Sequence, residues 1–135
     1  MAGDAYPTAI RALAVSSEDV VNAFVYTREN PGTAVLRVTP PFHGRMRARL
    51  HVYQLEDTRE TGAVHVDPAR LLEDEVVDSF PALEETEAAL EADDPETVRK
   101  AHAEALEDWR DRATDAIVEE VALEGERRVE VKHLG

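Results

Sequence analysis

One stretch of the chain that lacks acidic residues carries the side chains best suited to binding an anion. From Asn30 to Leu55 there is no Asp or Glu, although the whole chain contains 29 of them. A guanidinium donates paired hydrogen bonds to a carboxylate or a phosphate, and a nearby imidazole can add a further donor. One hypothesis is therefore a site for a small anionic ligand, such as a nucleotide or a carboxylate. Its candidate residues are Arg37, His43, Arg45, Arg47 and Arg49.

The same stretch has the pattern of a β-hairpin. Residues 33–39 alternate in polarity and are rich in β-branched types, and the connection is 40–44 (PPFHG), since two prolines cannot continue a central strand. Residues 45–53 also alternate, so one face carries Arg45, Arg47, Arg49, His51 and Tyr53, and the other carries Met46, Ala48, Leu50 and Val52. A shift of one residue would bury the arginines, so the pattern sets the register firmly.

A second hypothesis explains the same arginines without a ligand. The chain has 29 acidic and 15 basic residues and a net charge of -14, so Asp and Glu on neighbouring elements or on a second subunit could pair with the arginines. The protein would then be a non-enzymatic interaction module. The sequence leaves both hypotheses open, and they differ in what faces the arginine side of the strand.

The acidic composition is typical of halophilic proteins. A high acid count keeps a protein soluble in concentrated salt, and only Lys100 and Lys132 are lysines. In molar salt the Debye length is about 3 Å, and binding through phosphate contacts weakens steeply as salt rises. The basic stretch is therefore weak evidence for DNA or RNA, and we do not expect a nucleic-acid partner.

The remaining polar residues indicate no catalytic site, metal site or cofactor. There is no cysteine, which excludes disulfides and thiolate chemistry. The chain has no P-loop and no GxGxxG motif, and its five histidines lack the spacing of a helical zinc site. His51 and His65 could meet on neighbouring strands near Asp67, but two strand histidines at the edge of the core or in solvent are the more common case than a metal site. His102 and Trp109 fall on the apolar stripe of a helix, where we expect core or interface roles.

The length and the termini predict a single cytoplasmic domain. At 135 residues the chain matches one domain, residues 1–135, and no run of 18 apolar residues could span a membrane. Asp4 stands where a secretory signal would be positive, and Arg11 interrupts the apolar stretch that follows. We therefore expect no signal peptide and no membrane contact.

Local start and stop signals predict the helices. Ser16 is a predicted N-cap, Asn30-Pro31-Gly32 a helix stop, and Asp67-Pro68 and Asp94-Pro95 two further helix starts. A helix is also predicted over residues 81–90. The last helix is predicted from Pro95 to about Glu124, a length of about 45 Å, with a final strand over residues 127–133. Residues 1–15 fit either a helix or an alternating strand.

These elements predict an α+β fold. The order is α, β, β, β, α, α, long α, β, and it indicates an antiparallel sheet of about four strands with helices packed on one face. The long C-terminal helix exceeds the usual globular length and leaves room for a contact with a partner subunit. A homodimer is therefore one of the expected forms.

Three segments of the chain resemble a family of small uncharacterised haloarchaeal proteins. The most distinctive is LRVTPPFHGRMRARLHV (residues 36–52), and the others are AVHVDPARLL (residues 63–72) and HAEALEDWRDRA (residues 102–113). The resemblance covers most of the chain. It supports the halophilic, cytoplasmic interpretation and implies no activity.

Overall fold

A computed structural model describes residues 6–53, 62–90, 94–123 and 127–134. The strands are β1 (Ala12–Ser16), β2 (Thr33–Val38), β3 (Arg45–Arg47), β4 (Arg49–Tyr53), β5 (Val64–Val66), β6 (Glu120–Ala122) and β7 (Arg128–Leu134). The helices are α1 (Ser17–Glu29), α2 (Asp74–Asp78), α3 (Leu83–Leu90) and α4 (Pro95–Thr114), with 3-10 turns at Pro7–Ala9 and Pro68–Leu71. The mixture of helices and open sheets confirms the α+β class.

The strands form two sheets, whereas the sequence suggested one antiparallel sheet of about four strands. The larger sheet has the order β3-β1-β7-β6, with β1 parallel to β3 and β7 and with β6 antiparallel to β7. The smaller sheet is antiparallel, in the order β4-β2-β5. The parallel pairs arise because β1, which comes first in the chain, lies in the middle of the larger sheet.

The strand β1 resolves the ambiguity of the first 15 residues. Four consecutive residues, Ala12, Leu13, Ala14 and Val15, are buried. A strand that is covered on both faces shows a continuous run of apolar residues instead of alternation. Such a run also fits a helix, so the sequence could not separate the two.

The predicted helix starts at Ser16, Asp67 and Asp94 are confirmed by their hydrogen bonds. Ser16 Oγ accepts from the backbone N–H of Asp19 at 3.0 Å. Asp67 accepts from the backbone of Ala69 at 2.9 Å, where the element is a 3-10 turn, and Asp94 accepts from the backbone of Thr97 at 2.8 Å. The backbone hydrogen bond from Thr97 lowers the pKa of Asp94, because it stabilises the charged carboxylate.

The last helix is shorter than predicted. It ends at Thr114, so its 20 residues span about 30 Å, and the prediction that it continues to Glu124 is wrong. Beyond it, Ile117 bridges to Leu72, and β6 pairs with β7 with Val121 opposite Val129. The β-branched residues of this segment favour a strand, and pairing with β7 satisfies the backbone. The shorter helix removes part of the support for a subunit contact.

Trp109 anchors the helical side of the core, as expected. It is fully buried, and its indole N–H donates to the carbonyl of Val76 at 2.8 Å. Its ring centroid lies 5.1 Å from that of Phe24 and 4.9 Å from that of Phe80. This aromatic cluster joins α1 and α4 to the segment after α2.

Candidate functional site

The predicted hairpin is formed by β2 and β4. They pair antiparallel, and the register places Arg37 opposite Arg49 and Leu36 opposite Leu50. The second half of the hairpin is not one strand, however. It is interrupted at Ala48, which is fully buried and whose N–H donates to the carbonyl of Ala14 at 3.0 Å. The residues before Ala48 belong to the larger sheet and those after it to the smaller one, so the arginines span both sheets.

The connection after β2 is fixed by one side chain and one carbonyl. Phe42 is 1% exposed and belongs to the core. The carbonyl of Gly44 accepts from the backbone N–H groups of Arg11 at 2.7 Å and Ala12 at 2.9 Å. These contacts place β3 beside β1 and leave His43 exposed next to the first arginine of β3.

The three arginines at positions 45, 47 and 49 form what we call the arginine surface. All three are exposed, whereas Ala48 is buried between them and Met46 and Leu50 are partly buried. The predicted alternation therefore holds across the change of sheet. It fails at Val52, which was expected to face inwards and is 40% exposed.

No acidic side chain among the described residues lies within ion-pair distance, 4.0 Å, of the arginine surface. Other basic residues of the larger sheet are paired. Arg128 Nε lies 3.0 Å from Glu120, and Lys132 Nζ lies 3.1 Å from Glu130. The difference separates the arginine surface from the ordinary charged surface of the same sheet.

Two alanines lie between β3 and β7 on the outer face of the larger sheet. The register places Ala12 between Arg45 and Glu130, and Ala14 between Arg47 and Lys132. Residues that are paired across strands share a face of the sheet. The short side chains of Ala12 and Ala14 therefore lie between two rows of longer charged side chains. Arg47 and Lys132 therefore put positive charge on both sides of Ala14.

Arg37 has a different environment from the arginine surface. It is partly buried in the centre of the smaller sheet, and its Nη1 lies 2.9 Å from Nε2 of His51. A guanidinium is a donor only, so in this contact the imidazole nitrogen accepts. The register also places His65 beside Arg37, and the His51 and His65 rings are 6.0 Å apart. The two predicted strand histidines do meet, with an arginine between their strands.

The histidines do not form a described metal centre. A guanidinium beside His51 opposes a cation there, because both carry positive charge. Among the residues that the structure describes, no group of three or more His, Asp or Glu side chains could hold a metal ion. We therefore interpret Arg37 and His51 as a cluster of basic side chains on the smaller sheet.

Arg11 lies near the arginine surface, although no sequence pattern indicates that it belongs there. It is exposed, and a Cβ placed on Gly44 would lie 4.0 Å from its Cδ. Its side chain therefore lies close to the start of β3 and extends the positive surface beyond Arg45. Only the parallel pairing of β1 with β3 brings it there, and no sequence spacing reveals that pairing.

The fold and the surface define a small α+β protein with an exposed row of arginines that crosses two sheets. None of the described helices is long and apolar enough to cross a membrane. The chain belongs to a family described as a domain of unknown function (DUF8009), and the match covers residues 1–135. No curated protein and no solved structure gives a significant match to the chain.

Proposed function

We propose that the arginine surface binds a small anionic ligand, such as a nucleotide or a polycarboxylate, with His43 and Arg37 at its borders. The observation that carries this proposal is the absence of any acidic side chain within 4.0 Å of Arg45, Arg47 and Arg49 among the described residues. In a protein with a net charge of -14, exposed arginines that form no ion pair with a described acid keep a local positive potential.

The spacing of the arginines favours a ligand with more than one anionic group. Arg45 and Arg47 lie two residues apart on one face of β3, which separates their Cα atoms by about 6.6 Å. Two guanidinium groups at that separation can each bind a different phosphate or carboxylate of one molecule. Lys132, across Ala14 on β7, is paired with Glu130 at 3.1 Å and is not counted among the binding groups.

A homodimer is a second candidate, and the charge distribution of the larger sheet favours it. The arginines of β3 lie at one edge of that sheet, and Glu120 of β6 lies at the other. If two larger sheets stack face to face about a two-fold axis parallel to the strands, the arginine edge of one copy lies over the acidic edge of the other. We also propose that the protein is halophilic, on the basis of its acidic composition, and that it is cytoplasmic.

Isothermal titration with ATP, pyrophosphate and citrate tests the ligand proposal. We expect the double variant Arg45→Ala/Arg47→Ala to weaken binding by at least about a hundredfold, because each charge-assisted hydrogen bond contributes about 1.5–3 kcal/mol. The matched control is Arg128→Ala, which removes a paired arginine from the same sheet and should leave the affinity unchanged.

Three results would count against the ligand proposal. They are no binding of any of the three anions, equal loss in the double variant and in Arg128→Ala, and unchanged binding in the double variant. Light scattering on the same samples distinguishes the second candidate. A dimer that becomes a monomer in the double variant, without anion binding, would assign the arginines to a subunit contact.

A further inference from the structure

A cleft of about 470 Å³ lies away from the arginine surface, between the end of α1, the segment that joins α2 to α3, and the middle of α4. Part of its wall is apolar and is formed by Phe80, Pro81 and Leu83. Leu83 is 38% exposed, which makes it one of the few large apolar side chains that the described surface leaves open to solvent. Clefts of roughly 300–1,000 Å³ with apolar walls are typical of small-molecule sites.

A positive charge is fixed on one side of this cleft. The guanidinium carbon of Arg28 lies 4.7 Å from the centroid of the Phe24 ring and 5.9 Å from that of Phe80. Both rings belong to the cluster around the buried Trp109, so the platform is rigid. A guanidinium over a ring face still presents its N–H donors at its edge. No described carboxylate lies within 4.0 Å of it.

Two negative charges line the same cleft. Glu84, in the first turn of α3, is exposed and makes no ion pair with any described residue. Glu29 Oε2 lies 3.2 Å from Nε2 of His102, whose side chain is 14% exposed. His102, for which a core or interface role was expected, is partly buried, and its contact orients the Glu29 carboxylate.

Opposite charges that face one apolar cleft without touching each other are complementary to a ligand that carries both charges. An anion alone would meet the two carboxylates, and a cation alone would meet the guanidinium. A zwitterion with an apolar body satisfies all three groups of lining residues.

We propose that this cleft binds a free amino acid with an aliphatic side chain. Its carboxylate contacts Arg28, its ammonium group contacts Glu84, and its side chain packs against Phe80, Pro81 and Leu83. Glu29, held by His102, lies on the same cleft and adds negative charge for the ammonium group. None of these residues belongs to the arginine surface, so this site and the proposed anion site can be tested separately.

NMR titration of the full chain with L-leucine and two analogues tests the proposal. L-leucinamide lacks the carboxylate, and 4-methylpentanoate lacks the ammonium group. We expect L-leucine to shift the methyl resonances of Leu83 and each analogue to bind at least about tenfold more weakly, because a factor of ten corresponds to about 1.4 kcal/mol and a charge-assisted hydrogen bond exceeds that.

Two substitutions test which residue contacts the ammonium group of the ligand and which contacts its carboxylate. In Glu84→Gln the affinity for L-leucine falls about tenfold while that for 4-methylpentanoate does not, and the neighbouring exposed Glu85→Gln leaves both unchanged. In Arg28→Gln the preference for L-leucine over L-leucinamide disappears, whereas Arg99→Gln on α4 retains it. Glu84 is exposed and is not itself a member of the aromatic cluster, so its variant keeps the test valid if Arg28→Gln fails to fold.

The proposal is overturned if L-leucine causes no shifts at millimolar concentration, or if both analogues bind as tightly as L-leucine. It is also overturned if Glu85→Gln weakens binding as much as Glu84→Gln, since the effect would then come from overall charge and not from the cleft.

Discussion

Replacing Trp109 with phenylalanine tests how much the aromatic cluster contributes to folding. The substitution removes one donor to the Val76 carbonyl, a hydrogen bond of 2.8 Å beside a fully buried ring. That carbonyl still accepts from the backbone N–H of Ser79 at 3.2 Å and from Ser79 Oγ at 3.1 Å, so the loss is the net contribution of one hydrogen bond, about 0.5–1.5 kcal/mol. The smaller ring also leaves a space in the core. It weakens the contacts with Phe24 and Phe80, and each aromatic contact contributes about 0.5–1.5 kcal/mol. We expect a loss of about 2–4 kcal/mol in the free energy of unfolding.

Chemical denaturation followed by circular dichroism measures this loss, since the substitution removes the only tryptophan and with it the usual fluorescence signal. The control is Phe80→Leu, which changes a partly buried ring of the same cluster and keeps the indole hydrogen bond. It should cost about half as much, because it removes aromatic contacts alone. A loss below about 0.5 kcal/mol for Trp109→Phe, within the range of surface substitutions, would show that the indole does not anchor the core.

Two further predictions concern charge. The lowered pKa of Asp94 means that its cap stabilises the folded state above the unfolded-state pKa and is lost as pH falls through the folded-state pKa. An NMR titration should therefore place the Asp94 midpoint below the ordinary pKa of an aspartate carboxyl, and a midpoint at the ordinary value would contradict the cap. The net charge of -14 predicts that the melting temperature rises steadily with KCl into the molar range, as screening reduces repulsion. A melting temperature independent of KCl would remove the halophilic interpretation.

The sequence predicts local features of this protein well, because neighbouring residues determine them. The caps at Ser16 and Asp94 and the pairing of β2 with β4 follow from short patterns of polar and apolar residues. The outward direction of the arginines follows from alternation. That alternation is also why the break at Ala48 was missed, since a chain that passes from one sheet to the next can keep the same inward and outward order.

Long-range features could not be predicted, since no spacing encodes them. The position of Arg11 depends on the parallel pairing of β1 with β3. The cleft takes its lining from three separate segments, around Glu29, Leu83 and His102. The end of α4 depended on whether β7 would offer a partner to the residues that follow, which is a property of the assembled sheet.

The strand that carries two of the arginines is also an edge strand of the larger sheet. β3 forms one border of the larger sheet and is only three residues long. Open edges recruit strands from other molecules, and short length and positive charge are two ways in which proteins prevent this. We therefore expect Arg45 and Arg47 to reduce edge-to-edge aggregation as well as to bind any ligand. A variant that lacks both loses this protection, so its solubility is itself a measure of what these residues do for the native chain.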